Sequence, residues 1–193
     1  TCDEYKKSLR IISGEAKHMT VIIEDLLLLA RVESKSVALN WIPMLVSDFV
    51  EELKNRVQSI YQAKQVSLVT NIAGVSNFYC SQTYLCLALC NILLNAAKHS
   101  KPGSQVKLTV KKEDSFLLFQ ISDEGEGISK EALPNIFDPF YRVDTARNRA
   151  SGGVGIGLSL ALALVKLHGG KISVFSSLGS GTCFKSSIPL KLA

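Results

Sequence analysis

Apolar residues recur along the first thirty positions with the period of a helix. Tyr5, Leu9, Ile12, Ala16, Met19, Ile23, Leu26 and Ala30 are spaced alternately four and three apart, with no polar interruption. Such a seam predicts a long helix that offers one stripe to partner helices. Ile11, Ile22, Leu27 and Leu29 widen the stripe, which suits a bundle better than a single partner. Gly14 is a mild defect inside it. A lone amphipathic helix packed on its own domain is the competing reading. The period breaks at "SVALNWIP", where Pro43 has no place in a helix interior. A boundary is therefore expected near residue 36, with a short strand over Val37–Ile42.

Beyond that boundary the period switches repeatedly. A helix is predicted from Ser47 to Lys64, with Ser47 as its N-cap and Asp48, Glu51 and Glu52 early in it. "VSLVTNI" (66–72) alternates as a strand, and "NFYC" (77–80) reads as a strand or a turn. Ser81 is expected to cap a long helix that runs to His99. Residues 104–122 read as a hairpin turning near Lys112–Asp114, and residues 123–152 as a polar loop region. A helix over Ile156–His168 stops at Gly169-Gly170. "KISVFSS" and "GTCFKSSIPL" then form a second hairpin through "LGSG". Strands come in pairs with helices interleaved, not in regular βαβ alternation. The expected fold class is α+β: a two-layer sandwich whose mixed sheet is covered on one face by helices.

Composition narrows the picture without deciding it. The 193 residues are 47% apolar, enough for one ordinary domain with an appendage. The apolar runs fall short of the roughly 18 to 20 residues of a membrane helix. The opening "TCDEYKKSLR" is no signal peptide, and no Met begins it. The expectation is a cytoplasmic piece cut from a longer protein. The net charge of +5 is not blocky, and aromatics do not alternate with basic residues. No nucleic-acid partner is expected. Arg142, Arg147 and Arg149 cluster locally, which suits an anionic ligand as well as a solvated loop. Cys2, Cys80, Cys86, Cys90 and Cys183 make an odd count with no framework spacing, so reduced core cysteines are expected rather than disulfides or a metal site.

Three motifs carry chemistry. "SGGVGIGLSL" (151–160) places Gly153, Gly155 and Gly157 before an apolar helix. It lacks the Lys-Ser or Lys-Thr of a P-loop, and a loop rather than a strand precedes it, so it is not a dinucleotide fingerprint either. What survives is a set of glycine amides leading into a helix N-terminus, where an anion is favoured. Alone, this also fits a plain flexible loop. In "CNILLNAAKHS" (90–100), Asn91, Asn95 and Lys98 share one helix face amid Leu and Ala. Amide oxygens suit Mg²⁺ and an ammonium suits phosphate, though a solvated face is the alternative. In "DEGEGI" (123–128), Asp123 ends an apolar strand, and Gly125 and Gly127 allow a tight turn against a flat ligand. A carboxylate there can accept from the exocyclic amine of adenine and would repel the carbonyl of guanine; a simple turn is the alternative.

Together, in the chain order "CNILLNAAKHS", "DEGEGI", "SGGVGIGLSL", with "IFDPFYRVD" (136–144) between the second and third, these stretches resemble the catalytic and ATP-binding domain of sensor histidine kinases. That family shares its ATPase fold with DNA gyrase and mismatch-repair ATPases. The resemblance covers residues from about 37 to 190, and "IIEDLLLLARVES" looks like the second helix of the dimerisation hairpin. The organisation it implies is 1–36 for that helix and 37–193 for the ATP-binding domain. It implies that Asn95 ligates Mg²⁺, with Asn91 and Lys98 near the phosphates and His99 beside the nucleotide. Asp123 would read adenine, helped by Thr182 through a water, with Gly125, Gly127 and Ile128 in the same turn. Phe137, Phe140, Tyr141 and Arg142 would belong to a lid. Gly153, Val154, Gly155, Ile156, Gly157 and Leu158 would bring its base to the triphosphate, with the stretch from about 143 to 152 the least ordered. "GSGT" (179–182) matches a further glycine motif that closes the site. The implied reaction passes the γ-phosphoryl of Mg-ATP to a histidine, then to an aspartate of a response regulator, within a homodimer built on the N-terminal helix.

The chain departs from the family at three points. Its histidines are His18, His99 and His168, and none is followed by the acceptor pattern H-[ED]-x-x-[RT]-x-P. The acceptor helix, and any inner-membrane anchor of the parent, would lie outside this chain, and His18 is expected to be structural or solvated. Asn91 stands where hydrolytic relatives carry a Glu, and an amide cannot act as a general base, so little intrinsic ATP hydrolysis is expected. Glu124, in "DEGEGI", replaces an Asn common at that place in the family. A non-catalytic nucleotide-binding or dimerising module of the same fold is the alternative reading.

Overall fold

The central sheet grows from alternation. We describe residues 2–74, 76–143 and 154–190 of a computed structural model of the chain. Strands β2 (Ser67–Ala73), β4 (Gln105–Glu113), β5 (Phe116–Asp123), β6 (Lys171–Ser176) and β7 (Thr182–Pro189) stand in the order β2-β4-β5-β7-β6. All neighbours are antiparallel except β2 and β4, which run parallel. Leu108, Ile121, Phe184 and Val174 lie on one transverse row, as do Val110, Phe119, Ser186 and Ile172. These residues face the helices, because a period of two sends alternate side chains to one face.

Helices α2 (Val46–Lys64), α3 (Gln82–His99) and α4 (Gly157–Leu167) cover that face, so the mixed-sheet two-layer sandwich read from the sequence is what the chain adopts. Phe49 of α2, Phe119 of β5 and Phe78 pack edge to face, with centroids 5.4–6.0 Å apart. Tyr61 of α2 donates from its hydroxyl to the Leu93 carbonyl of α3 at 2.9 Å, fixing one helix against the other. Among the described residues no helix is long and apolar enough to cross a membrane.

Three local expectations shift. The predicted strand over Val37–Ile42 lies further on: β1 is Ile42–Leu45 and pairs with β3 (Asn77–Cys80), placing Pro43 opposite Tyr79. A two-stranded ribbon has only edges, and an edge tolerates a residue without an N–H. Helix α2 starts one residue early, with Leu45 rather than Ser47 as N-cap. The Val46 N–H donates to the Ser76 carbonyl, and the Ser47 hydroxyl turns to Asp48 instead. Ser81 holds the N-cap position of α3 but makes no side-chain cap. Its backbone N–H instead donates to His168 Nε2 at 3.3 Å.

His168 caps α4 from the other end. It is buried, its Nδ1 lies 2.7 Å from the Leu164 carbonyl, and Trp41 meets its ring edge-on at 5.4 Å. The tautomer is thereby set: Nδ1 donates and Nε2 accepts, so the ring is neutral. Burial, partly opposed by these backbone bonds, lowers its pKa below the ordinary value of 6.5. The unfolded chain then binds the proton first, so stability is full above pH 6.5 and declines as pH falls through the lowered value. Urea unfolding between pH 7.5 and 5 should show a loss approaching about 1.4 kcal/mol per pH unit. In His168→Ala the slope should flatten, although that variant is less stable throughout.

The N-terminal helix α1 (Cys2–Glu33) packs on α4 through a stripe the seam did not reveal. His18, Ile22, Asp25, Leu29 and Val32, again four and three apart, form the covered side. Tyr5, Leu9, Ile12, Met19 and Ile23 of the predicted seam stay exposed one position away. Of the seam, Leu26 also packs on the core.

Candidate nucleotide-binding site

The last rung of the sheet builds one wall of a cleft. Asp123 continues the inward alternation of Leu117, Phe119 and Ile121, so β5 delivers a carboxylate to the helix side of the sheet. Register sets Thr182 opposite Asp123, and Ser176 opposite Thr182. Asp123 Oδ1 accepts from the backbone N–H of Gly125 (2.9 Å) and of Thr182 (3.1 Å). The Ser176 hydroxyl donates to the Gly181 carbonyl, accepts from the Ile128 N–H at 2.8 Å and lies 3.1 Å from Thr182 Oγ1. Burial raises the Asp123 pKa above its ordinary value, and the two N–H groups partly offset it.

Two glycines let these turns interlock. Gly127 (φ +73°) packs so closely on Ser177 that an added Cβ would lie 2.0 Å from its carbonyl oxygen. Gly181 (φ +76°) packs equally closely on the Asp123 carbonyl. Both need a backbone that side chains disfavour and space that no Cβ can share. Gly125 sits against the His99 carbonyl, tying the turn to the end of α3.

Helices α3 and α4 form the opposite wall. A cleft of about 600 Å³ runs between them and the Asp123 turn. Asn91, Asn95, Lys98 and His99 line it from α3; Val154, Gly155, Ile156, Gly157 and Leu158 line it at the start of α4. Gly157 has no side chain where an added Cβ would stand 3.1 Å from Asn91 Oδ1, so α4 can approach α3 closely. Asn91 Nδ2 is buried without a hydrogen-bond partner. No side chain caps α4, which leaves its first N–H groups for an anion. Lys98 and His99 titrate below their ordinary values: desolvation is the main cause, followed by neighbouring cations, Arg142 and Lys64 for Lys98, Lys98 for His99. An unpaired donor, an open helix N-terminus and crowded cations make this wall suited to phosphate.

Asp123, Gly127, Ile128, Tyr141, Arg142 and Thr182 also line the cleft. Gly125, Phe137 and Phe140 do not. Phe137 packs edge to face on Phe184 of the core at 6.3 Å, which anchors the segment. Phe140, exposed and at φ +68°, donates its N–H to the Gly155 carbonyl and so ties this segment to the glycines. Residues 144–153, with Arg147, Arg149 and Gly153, lie outside the described residues.

Sequence reading missed several lining groups. Lys64 ends α2 and reads in sequence as a complement to the helix dipole, yet it stands beside Lys98. His18, Ile22 and Asp25 reach the cleft from α1, and burial raises the Asp25 pKa, helped by the charge of Glu24. Ser176 carried no signal beyond strand alternation. Cys80, Cys86 and Cys90 are buried free thiols, and no trio of metal-ligating side chains occurs among the described residues.

Comparison with known proteins speaks to the family and the fold. Residues 80–192 match the family described as histidine kinase-, DNA gyrase B-, and HSP90-like ATPase. The sensor protein SrrB of Staphylococcus aureus is 30% identical over 187 residues, which is 97% of this chain and 32% of SrrB. The chain thus spans about a third of the length of such curated relatives. Among solved structures, Acinetobacter baumannii histidine kinase AdeS superposes with a TM-score of 0.80 at 21% identity, covering 95% of this chain and 84% of that one. Full-length ShkA, crystallised in complex with AMPPNP, gives 0.81 at 22% identity, covering 93% and 37%.

Proposed function

Because the chain belongs to the histidine kinase-, DNA gyrase B-, and HSP90-like ATPase family, we propose that it is the ATP-binding core of a sensor histidine kinase. It would supply the γ-phosphoryl group of ATP to a histidine on a helix outside this chain. The observation that carries this reading is one cleft that combines an adenine-type acceptor with a phosphate wall. Asp123 and Thr182 stand on a single rung, and the unpaired Asn91 Nδ2, Lys98 and the open end of α4 share the same cleft.

Asp123 would hold adenine through its exocyclic amine, and the interlocked glycine turns keep that carboxylate fixed. Asn91 Nδ2 would donate to a phosphate oxygen, and Lys98 would meet the phosphates as a point charge. Asn95 offers an amide oxygen to a magnesium ion, with phosphates and water completing its shell. Bound there, Mg²⁺ would neutralise triphosphate charge. Catalysis then rests on positioning and electrostatics rather than on a protein base. The exposed seam of α1 would pair with a second copy and with the missing acceptor helix, and a response-regulator aspartate would take the phosphoryl group next.

Supplying an acceptor helix with its histidine, in cis or in trans, and following label from γ-labelled ATP tests the proposal. Labelled, acid-labile phosphohistidine is the expected product, with little steady ATP turnover. Tight ATP binding with no phosphohistidine would favour a non-catalytic binding module, and rapid turnover would favour a hydrolytic ATPase.

A further inference from the structure

Cys86 and Cys90 sit one turn apart on α3, and their sulfurs are 3.9 Å apart. Both are buried, at 0% and 7% exposure, and Asn91 follows immediately. A salt bridge on α2 is tied to the start of α3. Arg56 Nε and Nη2 donate to Glu52 Oε1 at 3.0 and 2.7 Å, and Gln82, one turn before Cys86, donates to the other carboxylate oxygen. Cys86 is held below the ordinary thiol range by the hydrogen bond from Cys90, with the Arg56 guanidinium adding to it. Cys90 is pushed up by that same bond and by burial. The two sulfurs stand close enough for one to attack the other once it is oxidised.

We propose that Cys86 and Cys90 form a redox-sensitive dithiol that controls the nucleotide-binding helix. The proposal rests on the ATP-binding reading of the cleft. A peroxide is the oxidant class. The Cys86 thiolate attacks one peroxide oxygen, the O–O bond breaks, and water leaves a sulfenic acid behind. The Cys90 sulfur then attacks the Cys86 sulfur, and the sulfenyl oxygen departs as a second water. Two thiols and one peroxide become one disulfide and two waters, with two electrons passing from sulfur to oxygen. A small peroxide reaches the buried pair through local opening between α2 and α3.

The consequence follows from helix geometry. Residues four apart on a helix hold their Cβ atoms roughly 5–6 Å apart, whereas a disulfide wants about 3.5–4.5 Å. Closing the bond therefore draws in the turn 86–90 by about 1–2 Å and displaces the turn that begins at Asn91. A misplacement of that size next to a binding group is worth roughly tenfold or more in affinity. Disulfides in reducing compartments are commonly of this transient, sensing kind.

The test uses the full chain treated with hydrogen peroxide and then alkylated under denaturing conditions. The peptide carrying Cys86 and Cys90 should take up no alkyl group and be about 2 Da lighter than its unalkylated dithiol form, the loss of two hydrogens; dithiothreitol should reverse the change, and Cys90→Ala should abolish it. The affinity for a fluorescent ATP analogue should fall roughly tenfold on oxidation and stay unchanged in Cys90→Ala. Amide exchange of residues 91–95 should speed up on oxidation, whether or not nucleotide is present. Two alkylated thiols after oxidation would overturn the proposal, as would a link that persists in Cys90→Ala and so involves Cys80. A disulfide that alters neither exchange nor affinity would also overturn it. Reduced protein that ignores ATP would instead overturn the ATP-binding reading, and amide exchange would still decide whether the dithiol governs α3.

Discussion

Asp123→Ala is expected to weaken both nucleotide recognition and the domain's stability. The carboxylate accepts from two backbone N–H groups, of Gly125 and Thr182, in a buried setting. Removing it strands both donors, at roughly 1–3 kcal/mol each. Urea unfolding should therefore show a loss on the order of 2–6 kcal/mol. The adenine contact disappears with it, and ATP affinity should drop by roughly tenfold or more. Asp123→Asn separates the two effects. Its amide oxygen can still accept from the turn, so the fold is kept, but its amide nitrogen offers adenine a donor where an acceptor is needed. Calorimetric titration of both variants is the check. An Asn variant that binds ATP as the parent does would remove Asp123 from the adenine site.

Gly181→Ala is the second large effect, and Gly179→Ala is its built-in control. Both glycines lie at φ near +80°, so each substitution bears the left-handed cost of roughly 1–2 kcal/mol. An added Cβ at Gly179 meets nothing within 4 Å, whereas at Gly181 it would lie 2.0 Å from the Asp123 carbonyl oxygen. That clash is with backbone on a sheet rung, which cannot swing aside. The loop must lift, breaking the Thr182 N–H bond to Asp123. Gly179→Ala should thus unfold only slightly earlier than the parent. Gly181→Ala should lose several kcal/mol, together with nucleotide binding. Equal midpoints for the two variants would show that the interlock of the turns contributes nothing.

The proposed dithiol and the adenine turn bear on the same cleft from opposite walls. Asp123 holds its place through β5 and β7, while Asn91 depends on the straightness of α3. A change confined to the turn 86–90 can therefore weaken phosphate contacts while leaving the adenine wall intact. Competition by adenosine, which lacks phosphates, should be insensitive to oxidation if that division holds.

Much of this was legible without coordinates. The fold class followed from paired strands and interleaved helices. The face of α3 that lines the cleft followed from Asn91, Asn95 and Lys98 alone, because a helix repeats every 3.6 residues and polar groups amid Leu and Ala stand out. Local endings were less legible. Ser47 and Ser81 looked like caps, but the neighbouring Ser76 carbonyl and the distant His168 ring satisfied those positions instead. A cap read from sequence assumes that no tertiary partner is available, and here partners were.

The sequence by itself determined the elements, the inward alternation that ends in Asp123, and the three motifs, since each depends on neighbours only a few residues away. Tertiary structure alone decided that β2 lies parallel to β4, that Asp123, Thr182 and Ser176 share a rung, and that the turns of Gly127 and Gly181 interlock. It also decided which stripe of α1 is covered, and that Lys64 and Asp25 reach the cleft. These are contacts between segments far apart in the chain, set by strand register and by which helix faces fit together, and no local period encodes them.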